Sequence, residues 1–355
     1  SVEIDDSSVN TSAVGSYIVF YSLSDTAGNT AAPVTRTINV VAPAGVVSEH
    51  SVLSSIVDNI VIPNYKVLSD QAAAFAADSG PLASYCDAVG ATDEDVKLAS
   101  AKASWKTLMR TVQRTELHII GPAAKNKKSL RQRVHFYNES EQVSTCATDV
   151  AVVKANSISD FDVAETTGNQ RSMSAVEYLL FNNTLTHTCS SGVSTVSGWN
   201  ELSESERKKQ RCALGEVLAR DVSLNATKIH RDWGVYRSSF LDASEIGTNF
   251  EFLTDGLFYF EKYTKSAKLT VPLGIDPLCS SRTCPESIES PFSDMSLDNI
   301  KTNSEQLLEI FDGGLDDLAD KNSEGWSTGF KALITFESAL KSPDPILFDY
   351  EMFGK

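Results

Sequence analysis

The sequence predicts a mainly α-helical protein that begins with a small β-rich segment. Up to about residue 42 the apolar residues alternate with a period of two, and from about residue 48 they recur with a period near 3.6. These periods are typical of strands and of amphipathic helices, respectively. With 355 residues in the chain, the helical part is long enough for two bundles of about four helices each.

The first 42 residues predict a β-hairpin. Residues 17–25 and 34–41 are rich in β-branched and aromatic side chains, and the second run alternates cleanly. Residues 25–30 between them include Gly28 and Asn29, which tolerate the positive φ of turns. Two strands alone are marginally stable, so the segment needs further strands or a neighbour. We assign residues 1–42 to this β segment and residues 43–47 to a linker.

Helical periodicity covers most of the remaining chain, which we assign to one helical domain at residues 48–355 with a division near residues 190–200. The predicted helices lie at 52–72 with a kink at Pro63, 92–117, 172–181, 203–224, 250–260 and 296–313, with a short one from Ala332. Residues 123–170 are mixed, residues 182–200 predict a loop, and residues 273–293 predict a long connection.

The helix at residues 172–181 carries one acid, Glu177, among apolar and small residues. A buried carboxylate needs a hydrogen-bond partner, a counter-charge or a metal, because burying it alone is costly. Ser174 stands three residues earlier and so shares a helix face with Glu177. This face is therefore either a working site or a structural feature of the core.

Composition excludes several classes of function. The chain is 41% hydrophobic and 22% charged, as in ordinary globular proteins, and its net charge is −16. Such acidity argues against nucleic-acid binding and against unaided binding to anionic lipid. It is compatible with cation capture, although a solvated acidic surface explains it as well. No apolar run reaches the roughly 18–20 residues of a membrane span, and the polar opening residues show no signal peptide.

Six cysteines favour disulfides in an oxidising compartment over free thiols. They are Cys86, Cys146, Cys189, Cys212, Cys279 and Cys284. Cys279 and Cys284 are close enough to close a local loop, whereas the other pairings stay open. A zinc site is less favoured, because there is only one close cysteine pair and no nearby histidine.

Several motifs resemble known families. Residues 14–17 and 24–29 resemble the end of a bacterial immunoglobulin-like repeat, and we expect the earlier strands of that repeat to be missing from this chain. Residues 48–340 resemble the imelysin-like family of bacterial exported proteins through four motifs in one order. These are Ile62-Pro63-Asn64-Tyr65, then Trp105 with Glu116 and Gly121-Pro122, then residues 175–181, and then the serine-rich residues 289–296.

The resemblance implies a fold of two packed helical bundles with a site between them. It also implies export to the periplasm or cell surface and an association with iron uptake or metal binding; the family name carries a peptidase activity as well. The sequence departs from the family signature Gly-x-His-x-x-Glu, because Ser172 stands at its glycine position and Ser174 at its histidine position. A neutral hydroxyl is a poor ligand for zinc or iron, whereas an oxygen site for a harder cation such as calcium stays open.

The candidate site residues are drawn from these motifs. They are Glu177, Ser174, Glu116, Glu289, Ser293, Asp294 and Ser296. For Glu177 the alternatives are a structural acid that joins the bundles, a ligand of a small molecule or of an iron, zinc or calcium ion, and hydrolytic catalysis. Glu116 could instead be solvated on its helix, Asp294 could be a helix-start acid, and Ser296 is also explained as a helix N-cap. Sequence patterns of serine hydrolases, zinc proteases and phosphate-binding loops are absent.

Three hypotheses of function follow. In the first, the chain is a non-enzymatic exported binding protein whose partner is a metal ion, a small ligand or a surface or periplasmic protein. The second is a metallopeptidase with a variant site, which the missing histidine disfavours. The third is a structural or adhesive surface protein without a ligand.

Overall fold

The computed structural model describes residues 2–11, 15–24, 31, 34–40, 47–137, 142–321 and 325–339. Contacts within the chain divide it into two compact units, residues 1–48 and 49–355. The predicted turn at residues 25–30 and nearly all of the predicted linker at 43–47 lie outside the described residues.

The first unit contains an antiparallel sheet of three strands in sequence order. The strands are β1 (Val2–Asp5), β2 (Gly15–Leu23) and β3 (Val34–Val40). The predicted hairpin corresponds to β2 and β3, with Tyr17 opposite Ile38. The sequence analysis missed β1, which pairs with the other edge of β2, because only two apolar residues alternate with acids there. This strand supplies the neighbour that an isolated hairpin lacks.

The second unit is helical, and a mainly α-helical chain with a small N-terminal sheet is confirmed. Its helices are α1 (Glu49–Ile56), α2 (Ile62–Ala76), α3 (Pro81–Ala88), α4 (Glu94–Arg114), α5 (Lys125–Val134), α6 (Thr145–Ser157), α7 (Ser172–Phe181), α8 (Glu204–Phe240), α9 (Ile246–Tyr259), α10 (Ser296–Ile310), α11 (Asp316–Asp320) and α12 (Trp326–Ala339). Three π-helical segments of the described chain extend or join these helices, at Val57–Val61, Phe260–Thr270 and Phe311–Leu315.

The chain is π-helical at or near two positions where the sequence predicted that a helix is interrupted or ends. The break expected at Pro63 falls one turn earlier, at Val57–Val61, and Pro63 lies in the first turn of α2. Proline is tolerated there because the amide that it lacks would have no helical partner. The end expected at Gly313-Gly314 is a kink, where Gly314 has φ of 125° and α11 follows directly.

Four helices, α3, α5, α6 and the five-residue α11, were not predicted from the sequence. Helix α3 has only eight residues, and α5 is mostly basic, so neither gives a long apolar period. Helix α6 begins at the N-cap Ser144, whose Oγ accepts a hydrogen bond from the Ala147 amide. Short packed helices of this kind depend on their neighbours rather than on their own sequence pattern.

Helix α8 spans 37 residues and packs against α2, α3, α5, α6 and α7. Its predicted capping box is confirmed, since the Glu206 amide donates to Ser203 Oγ and the Ser203 amide donates to the Glu206 carboxylate. Helix α8 follows the division suggested near residues 190–200, yet it packs on helices that precede that division. These contacts place α7 in the core, between α8 and α4.

Three disulfides join the six cysteines: Cys86–Cys212, Cys146–Cys189 and Cys279–Cys284. The expected disulfides and the local loop at Cys279–Cys284 are thus confirmed, and the first bridge ties α3 to α8. Within the described ranges, no helix combines the length and the apolar composition that a membrane span requires.

Candidate functional site

Helix α7 is buried along almost its whole length. Its residues are mainly apolar or small, so every face can pack against protein. Arg171, just before the helix, is buried and donates to Asp221 of α8 at 2.6 Å. Trp105 of α4 donates through Nε1 to the Met173 carbonyl at 3.2 Å. These contacts fix α7 and the acid that it carries.

Glu177 is 1% exposed and contacts the loop that precedes α10. Its Oε1 accepts hydrogen bonds from the amides of Phe292 and Ser293 at 3.0 and 2.9 Å, and from Ser293 Oγ at 2.8 Å. Burial raises the pKa of Glu177 to about 7, because desolvation outweighs the three hydrogen bonds that favour the ionised form. Negative charge on Glu289 makes a smaller contribution to this rise in the pKa.

Ser172 and Ser174 form hydrogen bonds with the backbone of Phe136. Neither serine is directed with Glu177 at a common ligand. The Phe136 amide donates to Ser172 Oγ at 3.1 Å, and Ser174 Oγ donates to the Phe136 carbonyl at 2.8 Å. Ser172 has φ of 77°, in the left-handed region that favours glycine, which is the residue of the family signature at this position. The two serines therefore position the segment that carries His135.

Glu116 lies in a short 3₁₀ turn after α4 and is 1% exposed, so it is not solvated on the helix surface. It forms an ion pair with Arg131 of α5, and its Oε1 lies 3.2 Å from His135 Nδ1. Burial alone would raise the pKa of Glu116, but Arg131 and His135 together hold it well below its usual range. Glu116 is thus ionised and internally neutralised.

Glu289 occupies the other side of His135, with His135 Nε2 3.6 Å from its Oε1. Gln113 Nε2 donates to that same Oε1 at 3.0 Å. Asn299 Nδ2 donates to Oε2 at 2.9 Å, and Lys268 Nζ lies 3.1 Å from Oε2. Both carboxylate oxygens of Glu289 are therefore held by groups of this chain.

Lys268 lies in the π-helical segment Phe260–Thr270, and its side chain is fully buried. Its Nζ also donates to Gln113 Oε1 at 2.7 Å and to Asn303 Oδ1 at 2.8 Å. Three acceptors thus surround the three protons of one ammonium group. We call this set the polar network; its charged and titratable members are Glu116, Arg131, His135, Glu177, Lys268 and Glu289.

The other candidates lie at the margin of the network. Asp294 is exposed with φ of 56°. Ser296 is the first residue of α10, and the expected N-cap role is wrong, because Met295 occupies the cap without a side-chain bond. His118 is buried beside Asn64, at 2.9 Å between Nε2 and Nδ2, and burial lowers the pKa of His118 to about 3. Of the seven sequence candidates, the structure brings Glu177, Ser293, Glu116 and Glu289 into or beside one network.

Sequence reasoning missed Arg131, His135 and Lys268. Their partners are remote in sequence, as between Lys268 and Gln113, which are 155 residues apart. One signal was present: Lys268 stands in a stripe with Thr264, Ala267 and Val271, all of them buried. A lysine inside such a stripe predicts a buried counter-charge.

The network does not fit a metal ion. Arg131 and Lys268 occupy carboxylate oxygens that a cation would need, and Ser174 replaces a histidine ligand of the signature. Among the described residues, no group of three or more His, Cys, Asp or Glu is arranged to hold a metal. The cavity of about 290 Å³ that borders α7 is lined by Val176, Leu179 and Leu180, on a different side from Glu177.

Comparisons with known proteins agree with the fold. The family model described as Imelysin matches residues 61–340, and the model described as bacterial surface protein, Ig-like domain, matches residues 1–40. No curated protein matches the chain.

Two solved structures are similar. One is an imelysin-like protein from Psychrobacter arcticum 273-4, with a TM-score of 0.61 and 16% identity, over 82% of this chain and 83% of that one. The other, from Parabacteroides distasonis ATCC 8503, is named as an iron-regulated protein A precursor, with a TM-score of 0.51 and 17% identity over 78% and 77% of the two chains. At these identities the likeness concerns the fold alone.

Proposed function

The chain belongs to the imelysin family, and from that premise we propose that it is a non-catalytic, exported binding protein with an iron-related role at the bacterial surface. In this proposal the polar network stabilises the helical unit and does not hold a metal or a substrate. The helical unit is displayed behind the immunoglobulin-like segment.

One observation supports the structural part of the proposal: groups of this chain hold Glu116, both oxygens of Glu289 and Oε1 of Glu177. Glu177 accepts from the loop at Phe292 and Ser293, and Glu289 accepts from Gln113, Asn299 and Lys268. A catalytic or metal-binding carboxylate would need an oxygen directed at an open position. Here such an ion would have to displace Arg131 or Lys268 and leave a buried cation unpaired.

Export and surface display are supported by two features. The match to a bacterial surface Ig-like domain at residues 1–40 is typical of exported proteins, and three disulfides fit an oxidising compartment. The iron-related role rests on the name of one structural neighbour, an iron-regulated protein A precursor, and on the family resemblance.

Calorimetric titration of the full chain with ferrous, ferric, calcium and zinc ions tests the role of the network. We expect no site tighter than about 1 mM that depends on Glu177. The matched variant is Glu177→Gln, which keeps the shape and an acceptor oxygen but removes the charge. A tighter site that disappears in this variant would overturn the structural assignment and restore a metal site.

A cleavage assay tests the competing metallopeptidase. We expect a denatured protein substrate to stay intact with each added metal. Cleavage that a chelator stops, and that Glu177→Ala abolishes, would establish the enzyme instead.

The iron-related role is tested separately in the source bacterium. We expect the protein to become more abundant when a chelator removes iron from the medium and to fall again when iron is restored. Unchanged abundance would remove the iron part of the proposal and leave the binding protein.

A further inference from the structure

An open cleft of about 500 Å³ lies on the helical unit; none of the acids of the polar network lines it, but its Tyr259 hydroxyl accepts a hydrogen bond from Arg131 of that network at 3.3 Å. It is formed by the end of α8, by α9, by the turn at residues 119–125 and by the start of the π-helical segment. This volume falls in the range of about 300–1,000 Å³ that small-molecule sites occupy. We call it the aromatic cleft, after its residues Tyr236, Phe252, Phe258, Tyr259 and Tyr263.

The walls of the cleft expose two phenylalanine side chains. Phe258 is 66% exposed and Phe252 is 49% exposed. Tyr259 and Tyr263 stack with ring centroids 4.6 Å apart and an angle of 19° between their planes. Exposed aromatic faces around a concavity are typical of a binding site rather than of a solvated surface.

Two lysines give this cleft a charge unlike that of the chain as a whole. Lys125 Nζ lies 4.2 Å from the centroid of the Tyr236 ring, and Lys262 Nζ lies 5.7 Å from that of Tyr263. Asp255 is the one acid in the lining, so the lining carries a net positive charge on a protein whose net charge is −16. The ammonium groups lie over ring faces, where the ring quadrupole attracts them.

Gly121 and Gly256 bring these walls together. Gly121 has φ of 54°, and a Cβ there would stand 2.7 Å from the Trp233 ring. A Cβ on Gly256 would stand 3.3 Å from the Leu117 carbonyl oxygen. The absence of side chains at these positions lets α8, α9 and the turn close around one opening.

We propose that the aromatic cleft binds a planar aromatic anion, such as an aromatic carboxylate. Its ring would stack on the exposed phenylalanine and tyrosine faces, and its carboxylate would pair with Lys125. An aromatic cation meets repulsion from both lysines, and a saturated carboxylate lacks the stacking surface. No acid of the polar network lines the cleft, so the naphthoate titration and the metal titration at Glu177 can fail separately.

Titration of the full chain with 2-naphthoate tests the proposal by calorimetry. Cyclohexanecarboxylate is the control without an aromatic ring, and 2-naphthylmethylammonium is the control with the opposite charge. We expect saturable binding of naphthoate, at least about tenfold tighter than either control, because each loses one of the two interactions. No saturable binding, or equal binding of the ammonium compound, would overturn it.

Variants locate the binding. Phe252 and Lys125 line this cleft and not the neighbouring apolar groove around Phe330. The variants Phe252→Ala and Lys125→Gln should therefore each weaken naphthoate binding by about three- to tenfold. Lys265→Gln, an exposed lysine of that groove, is the matched control and should leave binding unchanged. Circular dichroism checks that all three variants fold. If folded Phe252→Ala and Lys125→Gln bind naphthoate as the wild type does, the probe lies elsewhere and the assignment is wrong.

Discussion

The polar network and the aromatic cleft are chemically opposite regions of one helical unit. The network concentrates acids, cations and a histidine, yet these groups are buried and bonded to each other. The cleft is poorer in reactive chemistry, but its rings and lysines face an open concavity. Buried polar groups that bond to each other thus mark the region that stabilises this fold, whereas exposed aromatic rings around a concavity mark the region suited to a ligand. Substitutions in the two regions should therefore differ in kind: those in the network cost stability, and those in the cleft cost binding.

The largest expected effect is on stability, from Lys268→Met. The variant removes the buried cation and leaves Glu289 without its nearest positive charge. Loss of one partner of a buried pair typically lowers the free energy of unfolding by about 3–5 kcal/mol. Urea unfolding measures the change.

The matched control for this variant is Lys265→Met. Lys265 pairs with Glu261 at 2.5 Å on the surface, with 54% and 61% of the two side chains exposed. Such pairs contribute at most about 1 kcal/mol. Equal losses in the two variants would contradict a stabilising role of the network.

A pH effect of intermediate size is expected from Glu177. Its pKa in the folded protein is about 7, above the ordinary value of 4.5, so folding favours the protonated carboxyl. The resulting stability is complete below pH 4.5 and is lost as the pH rises through 7, by at most about 3 kcal/mol at 1.36 kcal/mol per pKa unit.

Unfolding of the wild type and of Glu177→Gln at pH 5 and pH 8 measures this contribution. The free-energy difference between the two proteins should shift against the wild type at pH 8, because only the wild type ionises there. A constant difference across this range would show that Glu177 does not titrate as its burial requires.

Ser172 offers a smaller and more specific test of the network. Ser172→Ala leaves the Phe136 amide without its acceptor and should lower the free energy of unfolding by about 1–3 kcal/mol. Ser172→Gly also loses the hydroxyl, but it relieves a strained φ that costs a non-glycine residue about 1–2 kcal/mol. Chemical denaturation should therefore rank glycine above alanine at this position, and the reverse order would exclude the backbone explanation.

The smallest effect on stability is expected in the cleft. Phe252 is 49% exposed, and substitution of such a surface residue usually changes the free energy of unfolding by no more than about 0.5 kcal/mol. Phe252→Ala should therefore unfold at nearly the same urea concentration as the wild type while it weakens naphthoate binding. A large loss of stability in this variant would show that Phe252 contributes to the core. It would contradict the expected difference between the cleft and the network.

The sequence predicted the parts of the fold that have long periods or strong local signals. The helix at 172–181, the capping box at Ser203 and Glu206, and the pair of strands after Gly15 were all visible in the residues. Helices α3, α5 and α6 were not, because they are short or polar and form against neighbours that are remote in sequence.

The sequence pointed to the acids of the candidate site but not to the cations that neutralise them. The contact between Glu177 and the loop at residues 289–296 follows the family motifs, whereas the cations that neutralise Glu116 and Glu289 come from Arg131 and Lys268, which no motif includes. Sequence also could not show why the family signature has a glycine where Ser172 stands, because the reason is a positive φ. Counter-charges and backbone angles are properties of the packed chain.

The disulfide pattern has a consequence for how the chain must mature. The Cys86–Cys212 bridge encloses the Cys146–Cys189 bridge, so these two pairs are nested rather than consecutive. A chain oxidised as it emerged from its N-terminus would meet Cys86 and Cys146 first and would join the wrong partners. Correct pairing therefore requires either that Cys86 stay reduced until residue 212 has emerged and Cys146 until residue 189 has emerged, or that thiol–disulfide exchange reshuffle the early bridges.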